Sequence, residues 1–424
     1  MESNFEIKEK NEEKKEINNK NNKNTKEISL RKEIISNIIA KSVNCSKKTQ
    51  EIASKILDSI MCQDKEKLIL LCEDGLPDEL PELRALIWKI NLGYLPLDMD
   101  KWDEILKSKR ASYKLYKNFI FGKLEKEMEL FKGYEKMEKS EKKELDKKTH
   151  KLLLEDICKD TNRTHNEMNF FLKPIDKNKI FTEEEIIKLY ENRRDCNLKK
   201  INETYKINIE LTNCDIISKI LFIYSKFEPE LLYVQGMNEI LAPIYYCLYS
   251  ERIDDKESIN NIEADTFYTF YCIMQKLRPL YNKNEDKSDI GVNGKAKRLK
   301  KMLEIIDNNL YNYFEAIHFE FSVLVFKWFS LLFSQNFDMV DLLRLWDYLF
   351  SNGDFLEKSY YCSLSIILMK KDKIMKATII NEIYQIFQNI HDLYLENIIS
   401  NAKLISQKCE KKCLEIMNTR YKNN

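Results

Sequence analysis

Eight glycines and seven prolines are spread over 424 residues, where a chain of average composition would carry about 50 of the two together. This scarcity works against an all-β fold, because sandwiches and barrels need a turn about every ten residues, with Gly supplying positive φ and Pro a pre-set φ. It also argues against the glycine-rich phosphate cradles. The one close pair, Gly291 and Gly294, is too tightly spaced for a P-loop, and Ala296 follows Lys295 where that loop needs Ser or Thr. The segment reads as a solvated loop.

A helical chain must still find a core, and 43% hydrophobic residues supply one. Lys and Arg number 70 against 69 Asp and Glu, a net charge of +1. That balance gives no global field to hold nucleic acid or anionic lipid. The eleven cysteines are an odd number without a CxxC pair, and Met1 to Lys20 has no apolar stretch of a signal peptide. Reduced thiols in a cytoplasmic or nuclear setting are expected. Uncharged stretches such as Ile240 to Ser250 reach about eleven residues, where a membrane span needs about twenty. Any membrane contact is expected to be peripheral.

Residues 1–33, almost wholly Lys, Glu and Asn, read as a disordered tail. Residues 34–72 carry short amphipathic repeats (Ile35, Ile38, Ile39; Ile52, Ile56, Ile60) and read as a helical lead-in. The main domain is placed at 73–405, opening at Gly75 and Pro81 before a helix with Leu83, Leu86, Ile87 and Ile90 on one face. Within it, 132–151 reads as a charged insertion and 282–297 as a polar loop, and Thr182 to Glu185 has capping-box spacing. The strongest apolar stripes, Ile216 to Tyr224 and Met237 to Leu248, flank a break at Gly236. Residues 406–424 read as a basic polar tail, where Cys409 and Cys413 lack further ligands and suggest a helix end more than a metal site.

The four histidines fall in no metal-ligand spacing, and there is no GxSxG elbow. Arginine is more telling, because only 11 of the 70 basic residues are Arg. Where Lys serves for bare charge, an Arg marks a need for the planar five-donor fork. Arg163 lies where an apolar helical run from Leu152 turns polar, with Asp160 three residues earlier and able to orient the guanidinium. A plain ion pair is the alternative reading. Gln235, beside Gly236 at a helix start, suggests a tight turn presenting an amide together with free backbone N–H groups. A simple interhelical turn is the alternative there.

Ile157, Asp160, Arg163 and Thr164, followed by Phe170 and Phe171, and then Tyr233, Gln235, Gly236, Met237 and Asn238, resemble the two finger motifs of the TBC domain of Rab GTPase-activating proteins. Gly75 with Arg84, Trp88 and Gly93, Ser334 to Phe337, and Leu343 to Phe350 resemble other parts of that domain, in order, over about 75–405. The branch with a YVQGMNEILAP stretch, here Tyr233 to Pro243, is the most similar. The resemblance implies an all-α, two-lobed helical domain acting on a Rab GTPase in its GTP form. It implies Arg163 as an arginine finger and Gln235 as a glutamine finger that positions water. Ile157, Asp160, Thr164, Tyr233, Gly236 and Met237 would support them, and Asn238, Lys327 and Trp328 would face the partner. No cofactor or metal would be bound by this chain, since GTP and Mg²⁺ would sit on the GTPase. Vesicle trafficking, a cytoplasmic location and possible peripheral endomembrane contact are further implications.

Asn166 stands where the family often has Pro, Leu324 and Lys327 where it often has Phe and Arg, and residues 230–232 lack a common Gly. None of these is a finger. A non-catalytic Rab-binding scaffold or effector is the alternative function, and it has no chemical need for both fingers.

Overall fold

The scarcity of turn formers has its counterpart in a computed structural model that describes residues 29–121, 152–175, 211–252 and 256–422, nearly all helix or short connection. The described strands are the two-residue segments Pro174–Ile175 and Leu211–Thr212, paired antiparallel. Several helix starts rely on side-chain caps. Ser46, Asp64, Asp307, Asp338 and Asp354 each accept a backbone N–H from the first turn of the helix that follows. Each such cap contributes about 0.5–2 kcal/mol.

The four tryptophans, Trp88, Trp102, Trp328 and Trp346, are all fully buried. The helix Met237–Leu248 runs through the centre, packed against Lys256–Tyr281, Asn213–Phe227 and Pro81–Asn91. It is buried on nearly every side, as a helix apolar all round must be.

Gly75 opens the main domain at φ +96, and a Cβ there would meet the Arg344 side chain at 2.6 Å. The chain can then pass close to the helix Met339–Phe350 and fasten to it. Asp347 accepts from the Leu76 N–H at 3.0 Å, from Trp88 Nε1 at 2.9 Å and from Arg84 Nε at 3.1 Å. Burial pushes the Asp347 pKa up, and the Arg84 guanidinium pulls against it. A second buried network lies on Lys256–Tyr281. Glu263 pairs with Lys219 at 2.8 Å, and Asp265 pairs with Arg110 at 2.8 Å while accepting from Tyr94 at 2.7 Å. Each carboxylate has both a cation and a hydroxyl donor, which satisfies charge that burial would otherwise make costly.

Three boundaries differ from expectation. Helix begins at Leu30, inside the expected tail, because Arg31 ties its backbone N–H to Asp103 at 2.7 Å and its guanidinium to Asp100. The lead-in is therefore three helices, Leu30–Ser42, Lys47–Met61 and Lys65–Glu73. Helix resumes at Val292, inside the expected polar loop, where Val292 and Ala296 are buried. The helix Leu395–Lys422 runs through most of the expected C-terminal tail, anchored by buried Ile398, Ile399, Ala402 and Ile405. The 132–151 insertion and the capping box at 182–185 lie outside the described residues.

Candidate functional site

The segment 152–161 is helical, and the chain then leaves it through turns at 162–167. Fully buried Ile157 seats that helix in the core, and Thr161 Oγ1 lies 2.7 Å from Ser218 Oγ on the helix Asn213–Phe227. The turn closes as the Arg163 N–H donates to the Asp160 carbonyl at 3.0 Å, with Thr164 Oγ1 donating to the same oxygen at 3.0 Å. Arg163 is carried outward and is exposed, while Thr164 beside it is fully buried.

The second turn is built on backbone that few residues tolerate. Leu232 takes φ +57 and Gly236 φ +102. Gly236 is also the residue before the helix Met237–Leu248, and a Cβ on it would stand 2.7 Å from Leu331 Cδ2. Only glycine meets both demands, a left-handed backbone and a close approach. Met237 is buried behind the turn, and its N–H donates to the Val234 carbonyl at 3.2 Å. Gln235 is exposed.

Two side-chain ties join the turns. Tyr233 Oη donates to Asp160 Oδ2 at 2.7 Å, a charge-assisted bond. Asn238 Nδ2 donates to Thr164 Oγ1 at 2.7 Å, while its Oδ1 accepts from the Gly236 N–H at 3.2 Å. Burial, and then the hydrogen bond to Asp160, push the Tyr233 pKa well above its usual value, so the phenol stays a donor. Among the described residues, neither the Arg163 guanidinium nor the Gln235 amide has an internal partner. Two exposed polar side chains without internal partners thus project from neighbouring turns that buried hydrogen bonds lock together.

Some expected roles are corrected by this geometry. Among the described residues Asp160 makes no side-chain contact with the Arg163 guanidinium; its carboxylate accepts from Tyr233 and so helps bind the two turns together. Asn238 is 4% exposed and cannot face a partner, since it is the internal tie. Trp328 is fully buried between Phe333 and Phe387, with ring centroids at 5.7 and 5.4 Å. It supports the 331–337 loop that sets Leu331 against Gly236. Lys327, on the same helix Phe321–Ser330, is half-buried. Sequence reasoning passed over His165 and Glu239, both close to the ties, although each is a titratable residue directly beside a motif.

A family model described as the Rab-GTPase-TBC domain matches residues 199–375. TBC1 domain family member 13 of Homo sapiens is 27% identical over 357 residues, covering 74% of this chain and 86% of that protein. Its Mus musculus namesake is 29% identical over 355 residues, covering 72% and 85%. The crystal structure of the Ypt/Rab-GAP domain of Gyp1p superimposes with a TM-score of 0.58 at 18% identity, covering 85% of this chain and 99% of that one. The chain is similar to proteins of the TBC-domain family. Its fold is the all-α TBC fold, and no helix among the described residues is long and apolar enough to cross a membrane. The matched stretch includes Tyr233 to Asn238, and Arg163 lies before it.

Proposed function

We propose that this TBC protein accelerates GTP hydrolysis by a Rab GTPase, with Arg163 and Gln235 inserted together into the partner's nucleotide site. One observation carries the reading. The two side chains best suited to that chemistry are exposed and, among the described residues, internally unpartnered, on turns tied to each other by Asp160–Tyr233 and Thr164–Asn238. A residue kept for stability would bond within the fold. These two are held at the backbone and left open at the tip.

GTP hydrolysis on a small GTPase is slow because charge develops on phosphoryl oxygens and the attacking water needs alignment. The guanidinium of Arg163 offers two parallel donors to those oxygens, and the Gln235 amide can donate to one group while accepting from the water. Positioning by a rigid pair of turns lets these contacts form without first ordering the side chains' backbone. GTP and Mg²⁺ belong to the partner, and this chain supplies no covalent step. The setting is Rab-dependent vesicle traffic, with this protein in the cytoplasm or held peripherally on endomembranes.

The reading is tested by single-turnover hydrolysis across a panel of GTP-loaded Rabs. Acceleration of at least one Rab is expected. Binding to the GTP form without acceleration would instead make the chain a scaffold or effector.

A further inference from the structure

The helix Asn213–Phe227 ends at Glu228, and a single turn over residues 229–231 then leads toward Gln235. The Leu231 and Leu232 N–H groups both donate to the Glu228 carbonyl, at 3.2 and 2.9 Å. A turn closed by the longer of these loops commonly ends on a residue with left-handed backbone, usually glycine, which has no Cβ to clash. Residues 230–232 contain no glycine, and Leu232 takes φ +57. Its side chain is 43% exposed, so packing does little to offset the strain.

An arginine on a neighbouring helix supplies the hold. Arg278, in the last turn of Lys256–Tyr281, donates from Nη1 to Glu228 Oε2 at 2.9 Å and from Nη2 to Glu230 Oε2 at 2.5 Å. Gln275 Nε2, one helical turn earlier, donates to Glu228 Oε1 at 3.4 Å. One guanidinium thus spans the start and the middle of the turn that Leu232 closes. The Glu228 arm is the stronger, because that carboxylate is largely buried whereas Glu230 is exposed and screened. Directly after Leu232 comes Tyr233, whose hydroxyl bonds to Asp160, and Gln235 is three positions on.

We propose that Arg278 is a positioning residue for Gln235: by clamping Glu228 and Glu230 it holds Leu232 in the left-handed conformation that aims the glutamine turn. This role rests on the finger reading above. Downstream the turn is anchored by the Gly236–Asn238 bond, and sideways by Tyr233–Asp160. The clamp is the upstream anchor. Without it Leu232 can relax to negative φ, which redirects the chain at Tyr233 and pulls on both of the other anchors. Arg278 acts through the backbone of the turn and not on the phosphates.

Because strain at position 232 is the cause, a glycine there removes most of the need for the clamp. Wild type, Arg278→Ala, Leu232→Gly and the double variant are compared in single-turnover hydrolysis with a responding Rab, with circular dichroism to check folding. Arg278→Ala is expected to lower the saturating rate about tenfold and to change the half-saturating concentration by less than about twofold. In the Leu232→Gly background the same Arg278→Ala change should lower the rate by less than about threefold, a coupling that loss of a plain surface ion pair would not produce. Should Arg278→Ala unfold, Glu228→Gln, which keeps the shape of the inner arm and removes its charge, carries the same criteria. A folded variant with wild-type rate, or an equal fall in both backgrounds, overturns the clamp and leaves the finger reading intact. A raised half-saturating concentration at unchanged rate also overturns it, because Arg278 would then be a contact for the partner. A wild type that accelerates no Rab overturns the finger reading and the clamp with it.

Discussion

Removing the Asn238 side chain is the most discriminating structural perturbation, because one buried amide holds both turns. Asn238→Ala deletes the bonds to Thr164 Oγ1 at 2.7 Å, Glu239 Oε1 at 3.2 Å and the Gly236 N–H at 3.2 Å. At about 0.5–1.5 kcal/mol for each neutral bond, with more for donors left buried, the expected loss is about 2–4 kcal/mol. Tyr233 does not compensate, since its one proton already goes to Asp160 at the shorter distance, 2.7 against 3.1 Å. The catalytic effect should exceed the stability effect. Without the tie the turns can part, and misplacement by about 1 Å can cost a hundredfold in rate. Asn238→Asp is the isosteric control. The Thr164 hydroxyl already donates to the Asp160 carbonyl at 3.0 Å, so a carboxylate at position 238 would set lone pair against lone pair. Denaturant unfolding gives the stability change, and single-turnover hydrolysis at saturating activator gives the rate. An Asn238→Ala protein that stays folded with a saturating rate within about twofold of wild type would refute the idea that the tie positions the fingers.

Two further outcomes follow from the same geometry. Gly236→Ala places a methyl 2.7 Å from Leu331 Cδ2 at φ +102, which should cost about 1–3 kcal/mol and slow hydrolysis. Adding Leu331→Ala should relieve the contact but not the backbone strain, and full recovery of rate in the double variant would contradict that division. Asp265 and Glu263 respond to pH. Burial opposes their charge, but Arg110 beside Asp265, and Lys117 and Lys219 beside Glu263, overcome it and hold both pKa values below the ordinary range. Their contribution is thus present above the unfolded values near pH 4 and is lost as pH falls through the lower folded ones. Melting temperature should drop on acidification below about pH 4, and a rise there would contradict the sign.

Much of this was legible in sequence because its causes are local. Gly75, Arg84 and Trp88 mark the opening because the buried Asp347 needs the donors that Arg84, Trp88 and the Leu76 N–H supply. Gly236 stands out because a left-handed backbone next to Leu331 admits no other residue. What failed was the choice of partner over long sequence separation. Asp160 lies three residues from Arg163 yet bonds to Tyr233, 73 positions away, and no spacing rule announces that. Asn238 and Trp328 were expected to face outward because motif membership does not say which side of a helix meets the core. Position 292 looked polar because helical burial of Val292 and Ala296 needs only one residue in four.

The finger assignment stands or falls on Arg163. Wild type, Arg163→Ala and Arg163→Lys should be compared at saturation in single-turnover hydrolysis with a Rab that responds to wild type. The guanidinium is exposed and has no internal partner among the described residues, so neither substitution should alter melting temperature appreciably. Loss of about 10³-fold or more in stimulated rate is predicted for both, because lysine lacks the bidentate fork. Undiminished stimulation by the two variants would contradict the account.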